Sequence, residues 1–481
     1  MDKDLTSVQE ARDLAAAAFT AQKVWAKATQ QDVDRVCAAM ADAAFQASDR
    51  LGKMAVEETG YGFAPHKKLK NEFGSKSVWE SIKDIKTVGV VGHDPLRRIY
   101  EIAWPMGVVC ALTPSTNPTS TVMAKALMAV KARDTIVFAP HPSAARCSYE
   151  TVVLMQQAAE SVGAPKGLIG CFQNISLQGT QELMNHKYVA VILATGGSQM
   201  VKAAHSVGKP AYGVGPGNVP VYVDRSADIE KAARYIVASK AFDYSTICST
   251  EQAVVADEPI ARQLEDLMKT QGAYFMEETQ ANLLRNLLFS SDGVINPATV
   301  GKSAQVLASM AGFTIPPSAR ILVARLSKVG REEPLSREKL TTVLGWYEED
   351  GWQAGCDRCI ELIQFGGRGH TQIIHATDNN IIMQFGLEKP VFRILVNTMG
   401  TLGAIGLTTG VMPSLTLGAG GVGGSITGDN VTTYHLFNVK RLAYELNSPP
   451  PAAFSHAETS FNLAPQDIEK LVETIVKEIL K

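Results

Sequence analysis

The sequence predicts an α/β protein whose core is a pair of parallel, doubly wound sheets, and three observations predict it. Between residues 106 and 223 the apolar runs GVVCAL, TIVFA, LIGCF, VAVILAT and VPVYV are separated by the helical stretches VMAKALMAVKA, SYETVVLMQQAAESVG and SQMVKAAHSV. From about 225 to 425 the alternation resumes: ADIEKAARYIVASKAF and EPIARQLEDLMKT read as helices, and QAVVAD, RILVA, TQIIHA and RILVN as strands. The 481 residues, 46% apolar and 20% charged, suffice for two or three domains that need no disulfide or metal staples.

Taken in order, residues 5–60 are helical, because AAAAFTAQKVW and VDRVCAAMADAAF place apolar residues three and four apart. Residues 86–104, KTVGVVGHDPLRRIYEIAW, read as a β-hairpin turning at His93, Asp94 and Pro95. Residues 1–85 with 105–213 make one domain, and residues 214–430 a second. Residues 431–447 follow as a closing strand or helix. SPPPAAFSHAETSFNLAP, residues 448–465, is rich in Pro, Ser and Ala and reads as a linker. QDIEKLVETIVKEILK, residues 466–481, reads as an amphipathic helix with Ile468, Leu471, Val472, Ile475, Val476, Ile479 and Leu480 on one stripe. No internal repeat is evident.

Composition excludes several classes of function. A formal net charge of −2 gives no reason to expect nucleic acid or an anionic membrane surface as partner. The N-terminal residues lack a basic stretch followed by an apolar one, so no secretory leader is expected, and no run is long and apolar enough for a membrane span. Seven scattered cysteines fit a reducing cytoplasm better than a disulfide framework. Cys356 and Cys359 have CxxC spacing, but no second pair or histidine stands at ligand spacing, so no metal is expected.

Cys248 lies in AFDYSTICSTEQAVVAD, after a helical run and before an apolar strand. Such a loop exposes a thiol to a cleft, and a thiol acts as a thiolate, which needs donors or helix dipoles nearby. One cysteine among seven is weak evidence, but three segments accompany it. PSTNPTST (114–121) follows GVVCAL, ATGGS (194–198) follows VAVIL, and GVGPGNVP (213–220) leads into VYVD. Together with FAPHPSA, EPLSREKL, GRGHT and PSLTLGAGGVGGS, in that order, they make residues 5–446 resemble the aldehyde dehydrogenase superfamily. The similarity is strongest to its CoA-acylating branch, which includes microcompartment propanal and acetaldehyde dehydrogenases and the first half of bifunctional aldehyde-alcohol dehydrogenases.

The resemblance implies an aldehyde dehydrogenase-like fold. Residues 1–85 and 105–213 become the dinucleotide-binding domain, 214–430 the catalytic domain, and 86–104 with 431–447 an oligomerisation element of a dimer or tetramer. It implies Cys248 as the nucleophile and Asn117 as the amide that holds the oxyanion together with the Cys248 backbone N–H. Thr195, Gly196 and Gly197 match the segment facing the pyrophosphate of NAD. Glycine lets the backbone approach phosphate, and the following helix offers its N-terminus. Gly215 belongs to the same cofactor-binding set, and His141 matches the strand end near the adenosine ribose. Glu333, with Glu332 as its alternative, matches the glutamate that holds the nicotinamide ribose. His370 matches a histidine that takes the proton of Cys248 or of CoA.

In the hydrolytic branch a glutamate 34 residues before the cysteine activates water. Here that position is Val214, flanked by Gly213 and Gly215, and none of the three is a base. The resemblance therefore implies a Cys248 thioester discharged by CoA, with aldehyde, CoA and NAD giving acyl-CoA and NADH. GAGGVG (418–423) fits GxGxxG but lacks a clear helix after it, so it reads as a loop near the active-site mouth. The tail resembles the encapsulation peptides of microcompartment cargo, which places the chain in the cytoplasm or inside a compartment bound to a shell protein. Docking on its own enzyme is the alternative. Propanal is the expected aldehyde. Acetaldehyde, sulfoacetaldehyde, phosphate in place of CoA, and an NAD-binding scaffold without activity are the competing readings.

Overall fold

The computed structural model describes residues 2–450, 453 and 464–479. Contacts divide the chain into two units, Met1–Val91 with Ile102–Lys440 and Gly92–Glu101 with Arg441–Lys481. The first begins with the helices Lys3–Trp25, Gln30–Gln46, Ser48–Thr59 and Ala64–Glu72. Their ends are marked by local chemistry. Asp2 accepts the Asp4 N–H, Thr29 and Asp32 form a reciprocal capping box, and Gly60 ends the third helix at φ 68°. Ala11, Ala15 and Ala18 form a small-residue stripe that packs on the first sheet.

The strands in chain order are β1 (Val90–Asp94), β2 (Ile99–Pro105), β3 (Val108–Thr113), β4 (Thr135–Pro140), β5 (Ile169–Cys171), β6 (Val189–Thr195), β7 (Ala211–Val214) and β8 (Val219–Val223). They continue with β9 (Glu251–Asp257), β10 (Ala273–Phe275), β11 (Ile321–Arg325), β12 (Val343–Glu349), β13 (Gln372–His375), β14 (Ile394–Val396) and β15 (Phe437–Ala443). Five of them form a parallel sheet in the order β5-β4-β3-β6-β7. The chain steps outward from β3 to β5, then returns to the other side of β3 with β6. The direction of winding therefore reverses between β3 and β6, and a crevice opens outside their carboxyl ends. A second parallel sheet has the order β10-β11-β12-β9-β8-β13-β14. Its strands are apolar on both faces and sheathed by helices such as Ile229–Ala241, Glu258–Thr270 and Gly351–Gly366.

The α/β class is thus as expected, with β7, β10 and β12 as strands that the apolar runs named above did not include. Residues 431–447 resolve into the strand β15, which joins a three-stranded sheet of order β1-β2-β15. Within the second unit Arg441 pairs with Glu101 at 3.2 Å and Arg98 donates to the Glu445 carbonyl at 2.8 Å. It also contains the helix Pro465–Ile479, along which Ile468, Leu471, Val472, Ile475, Val476 and Ile479 are exposed. Most of the 448–465 linker, and Leu480 of the stripe, lie outside the described residues. Cys356 and Cys359 are buried and free in the helix Gly351–Gly366. Among the described residues no acidic, His or Cys cluster is arranged for a metal, and no helix is long and apolar enough to cross a membrane.

Candidate active site

A cleft of about 430 Å³ in the first unit is lined by residues from both large sheets. From the first sheet come the segments after β3 (Pro114–Asn117), β4 (Pro140–Pro142) and β6 (Thr195–Gly197), all at carboxyl ends. From the second come segments just before strands. Gly215 and Pro216 precede β8, Thr246 to Cys248 precede β9, and Glu338 precedes β12. Thr195, Gly196, Gly197, His141, Gly215, Asn117 and Cys248 therefore meet in one cleft.

On the first sheet's side the backbone is left bare. A Cβ built on Gly196, Gly197 or Gly215 meets nothing within 4 Å. Gly197 is the N-cap of the helix Ser198–His205 and offers no side-chain cap, although its carbonyl accepts the Met200 and Val201 N–H groups at 3.0 and 3.1 Å. Bare backbone and a helix N-terminus suit a pyrophosphate. His141 closes the far end. Its Nδ1 accepts the Ser143 N–H at 3.2 Å, and burial holds the ring below its ordinary pKa.

Asn117 is the N-cap of the helix Pro118–Lys131, yet its side chain does not cap. Pro118 has no N–H to satisfy, and the Asn117 amide turns elsewhere. Its Nδ2 donates to the Thr246 carbonyl at 2.9 Å and contacts Thr116 Oγ1 at 3.2 Å. Its Oδ1 accepts from Lys70 Nζ at 2.6 Å.

Cys248 is half-buried in a tight turn closed by Thr250 N–H to the Ile247 carbonyl at 3.0 Å. Before it Asp243, Tyr244 and Ser245 all have positive φ, 47°, 49° and 66°, a strained run for residues with side chains. Buried charges pin that run. Asp243 accepts Phe63 N–H at 2.7 Å, pairs with Lys67 at 2.7 Å and also pairs with Lys70. Lys240 donates to Ser245 Oγ at 3.0 Å. Burial acts to raise the Asp243 pKa, but the two lysines outweigh it and hold the carboxyl ionised. Burial pushes Lys70 down to about 7 against the pull of Asp243. The Cys248 thiol is raised to about 12 by burial and then by Glu338, so the thiol is protonated at rest.

Two expected site residues lie outside the cleft lining. Glu333 does not face the cleft. Its carboxylate is taken by Arg285, at 3.0 and 2.7 Å, and by the Leu335 N–H, while Glu332 is exposed and paired with Lys328. The carboxylate that lines the cleft is Glu338, five residues on in the same motif. It accepts Gly217 N–H at 3.0 Å, and burial raises it to about 7. His370 is not among the lining residues either. It is 1% exposed and lies behind Gly217, whose missing Cβ would stand 2.2 Å from the Cys248 carbonyl oxygen and 3.1 Å from the imidazole. Burial and then Arg393 push its pKa down to about 3. The ring is therefore uncharged at neutral pH, with Nδ1 against Thr371 Oγ1 at 2.9 Å and Nε2 without a partner among the described residues.

GAGGVG forms no strand–helix turn. Gly421–Gly423 is a short 3-10 turn, although the preceding Leu415 and Leu417 line the cleft. The sequence reading missed Lys67, Lys70 and Asp243. The lysines, at i and i+3 in PHKKLKNE, look like a solvated helix face, and their anion lies more than 170 residues away.

Comparison with known proteins gives the same assignment from outside. The aldehyde dehydrogenase family model matches residues 3–275. Aldehyde-alcohol dehydrogenase 2 of Entamoeba histolytica is 40% identical over 455 residues, 92% of this chain and 52% of that protein. The chain spans about half the length of the aldehyde-alcohol dehydrogenases it matches. An acetylating aldehyde dehydrogenase structure from Geobacillus thermoglucosidasius is 50% identical with a TM-score of 0.92, covering 93% of this chain and 99% of that one. A propionaldehyde dehydrogenase from the Clostridium phytofermentans fucose utilisation bacterial microcompartment is 28% identical with a TM-score of 0.82, covering 90% and 97%. By its motifs, its cleft and these matches, the chain belongs to the aldehyde dehydrogenase family.

Proposed function

We propose that this chain is a CoA-acylating aldehyde dehydrogenase that converts an aldehyde, CoA and NAD to acyl-CoA and NADH through a thioester on Cys248. The observation that carries the reading is Val214. It ends β7 and lines the cleft, where a hydrolytic enzyme would need a carboxylate to activate water. Among the described residues lining the cleft the single carboxylate is Glu338, and it is tied to the Gly217 amide on the other side.

Bound NAD would lie along Thr195, Gly196, Gly197 and Gly215 with its adenosine toward His141, and would supply the two-electron acceptor. The chain's own residues do the rest. Cys248 Sγ adds to the carbonyl carbon while its proton passes to Glu338, whose pKa of about 7 lets it exist ionised at neutral pH. The charge that develops on oxygen falls between the Cys248 N–H and the Asn117 Nδ2. The thioester then waits for the thiol of CoA, and the same two donors hold the second oxyanion as Cys248 departs.

Apolar lining residues such as Tyr61, Val300, Leu340 and Ile405, with no lysine or arginine among the described lining residues, favour a short uncharged aldehyde over a sulfonated one. Propanal is the first choice and acetaldehyde the second. The test is NADH formation from propanal or acetaldehyde with and without CoA, beside Cys248→Ala. The reading expects CoA-dependent turnover that the variant abolishes. Steady carboxylate release without CoA would overturn it.

We also propose that the exposed stripe of the helix Pro465–Ile479 docks on a microcompartment shell protein, and that the chain works as a homo-oligomer. Fifteen residues are marginal as an isolated helix, so a partner would complete its folding. Deleting 448–481 is expected to abolish co-purification with shell protein while leaving turnover unchanged. Retained co-purification contradicts the docking role.

A further inference from the structure

We infer that Lys70 is a positioning residue for the reaction: it fixes and polarises the Asn117 amide, with Lys67 and Asp243 as its buried frame. The inference rests on the acyl-transfer reading of Cys248 and Asn117.

A carboxamide has two faces of opposite character, and its orientation decides whether it can stabilise an oxyanion. Here the surroundings permit one orientation. Lys70 Nζ can only donate, and it stands 2.6 Å from Oδ1. The Thr246 carbonyl can only accept, and it stands 2.9 Å from Nδ2. Turning the amide over would set a cation against an NH2 group and one oxygen against another. The NH2 group donates one hydrogen to the Thr246 carbonyl and the other, at 3.2 Å, to Thr116 Oγ1, and this second, longer bond is the one a substrate oxygen would take over.

Lys70 itself is fully engaged. Its three donors reach Asn117, Asp243 and, at 2.9 Å, Thr246 Oγ1. It is 2% exposed, and Lys67 is 1% exposed. Two lysines share one buried aspartate under the loop that carries Cys248. A charge-assisted bond to the amide oxygen draws electrons from the nitrogen and makes its remaining N–H a stronger donor. The same cluster holds the strained Asp243–Ser245 run and bonds to Thr246, two residues before Cys248. Lys70 therefore sets the amide and the nucleophile loop relative to one another.

The experiment is a double-mutant cycle on the full chain with Lys70→Met, Asn117→Ala and the double variant. It reads kcat, kcat/KM and the binding of NADH by fluorescence. Lys70→Met is expected to lower kcat and kcat/KM together by about 10²-fold, the scale of losing one oxyanion donor, with NADH affinity unchanged. In the Asn117→Ala background the same change is expected to cost little more. Lys70→Gln keeps a neutral donor and is expected to recover about tenfold of the loss. If Lys70→Met does not fold, Lys70→Gln is read alone: about tenfold below wild type supports the role, and a rate within about threefold overturns it. Two other results overturn it, a folded Lys70→Met within about threefold of wild type, or an equal loss with and without Asn117. A wild-type chain without CoA-dependent turnover would instead remove the reading on which the inference rests.

Discussion

The two sides of the cleft are built on opposite principles. The first sheet presents carboxyl ends of strands, bare glycines and an uncapped helix N-terminus. The second presents segments that lead into its strands, and there buried charges pin the loop that carries the thiol. One side offers bare backbone shaped for a ligand's phosphates, and the other is a rigid frame that aims the thiol, with Asn117 of the first side bonded across to it at the Thr246 carbonyl. Binding tolerates backbone and water as its instruments, whereas reaction demands atoms held to fractions of an ångström.

The glycines on the two sides break or sharpen this contrast. Gly217 has no room: a methyl there would meet the Cys248 carbonyl oxygen at 2.2 Å, and a backbone atom cannot swing away. Gly217→Ala is expected to lower kcat by about 10²-fold or more, because a displacement of about 1 Å at a reacting group costs that much. NADH affinity should be nearly unchanged. Gly197 is the reverse case, since its Cβ would point into open cleft. Gly197→Val is expected to leave thermal stability and Cys248 alkylation unchanged and to weaken NADH binding by about tenfold, or about 1.4 kcal/mol. Equal effects of the two variants on binding and on kcat would erase the distinction between the sides.

The same contrast explains what could be read in advance. Strand-ending motifs such as PSTNP and ATGGS are local, and alternating apolar runs place them at strand ends without knowledge of any contact. Four strands of the five-stranded sheet, and the gathering of PSTNP and ATGGS at their carboxyl ends, were therefore legible. So was the vacancy at Val214, which depends only on position along the chain. The frame was not legible, because its bonds join residues far apart. Lys70 and Asp243 look like ordinary surface charges until the fold buries them together. Glu333 and Glu338 stand in one motif, and only the location of Arg285 decides which of them is free to face the cleft. The burial of His370 behind Gly217 is a matter of packing rather than of residue type.

The central claim is that Cys248 holds an acyl group that water does not remove. Mass spectrometry of the Cys248 peptide after incubation with propanal and NAD, in the absence of CoA, tests it most directly. The account predicts one acyl group per site, stable over the time of many turnovers and discharged at once when CoA is added. An unmodified peptide accompanied by continuing propanoate release would contradict it.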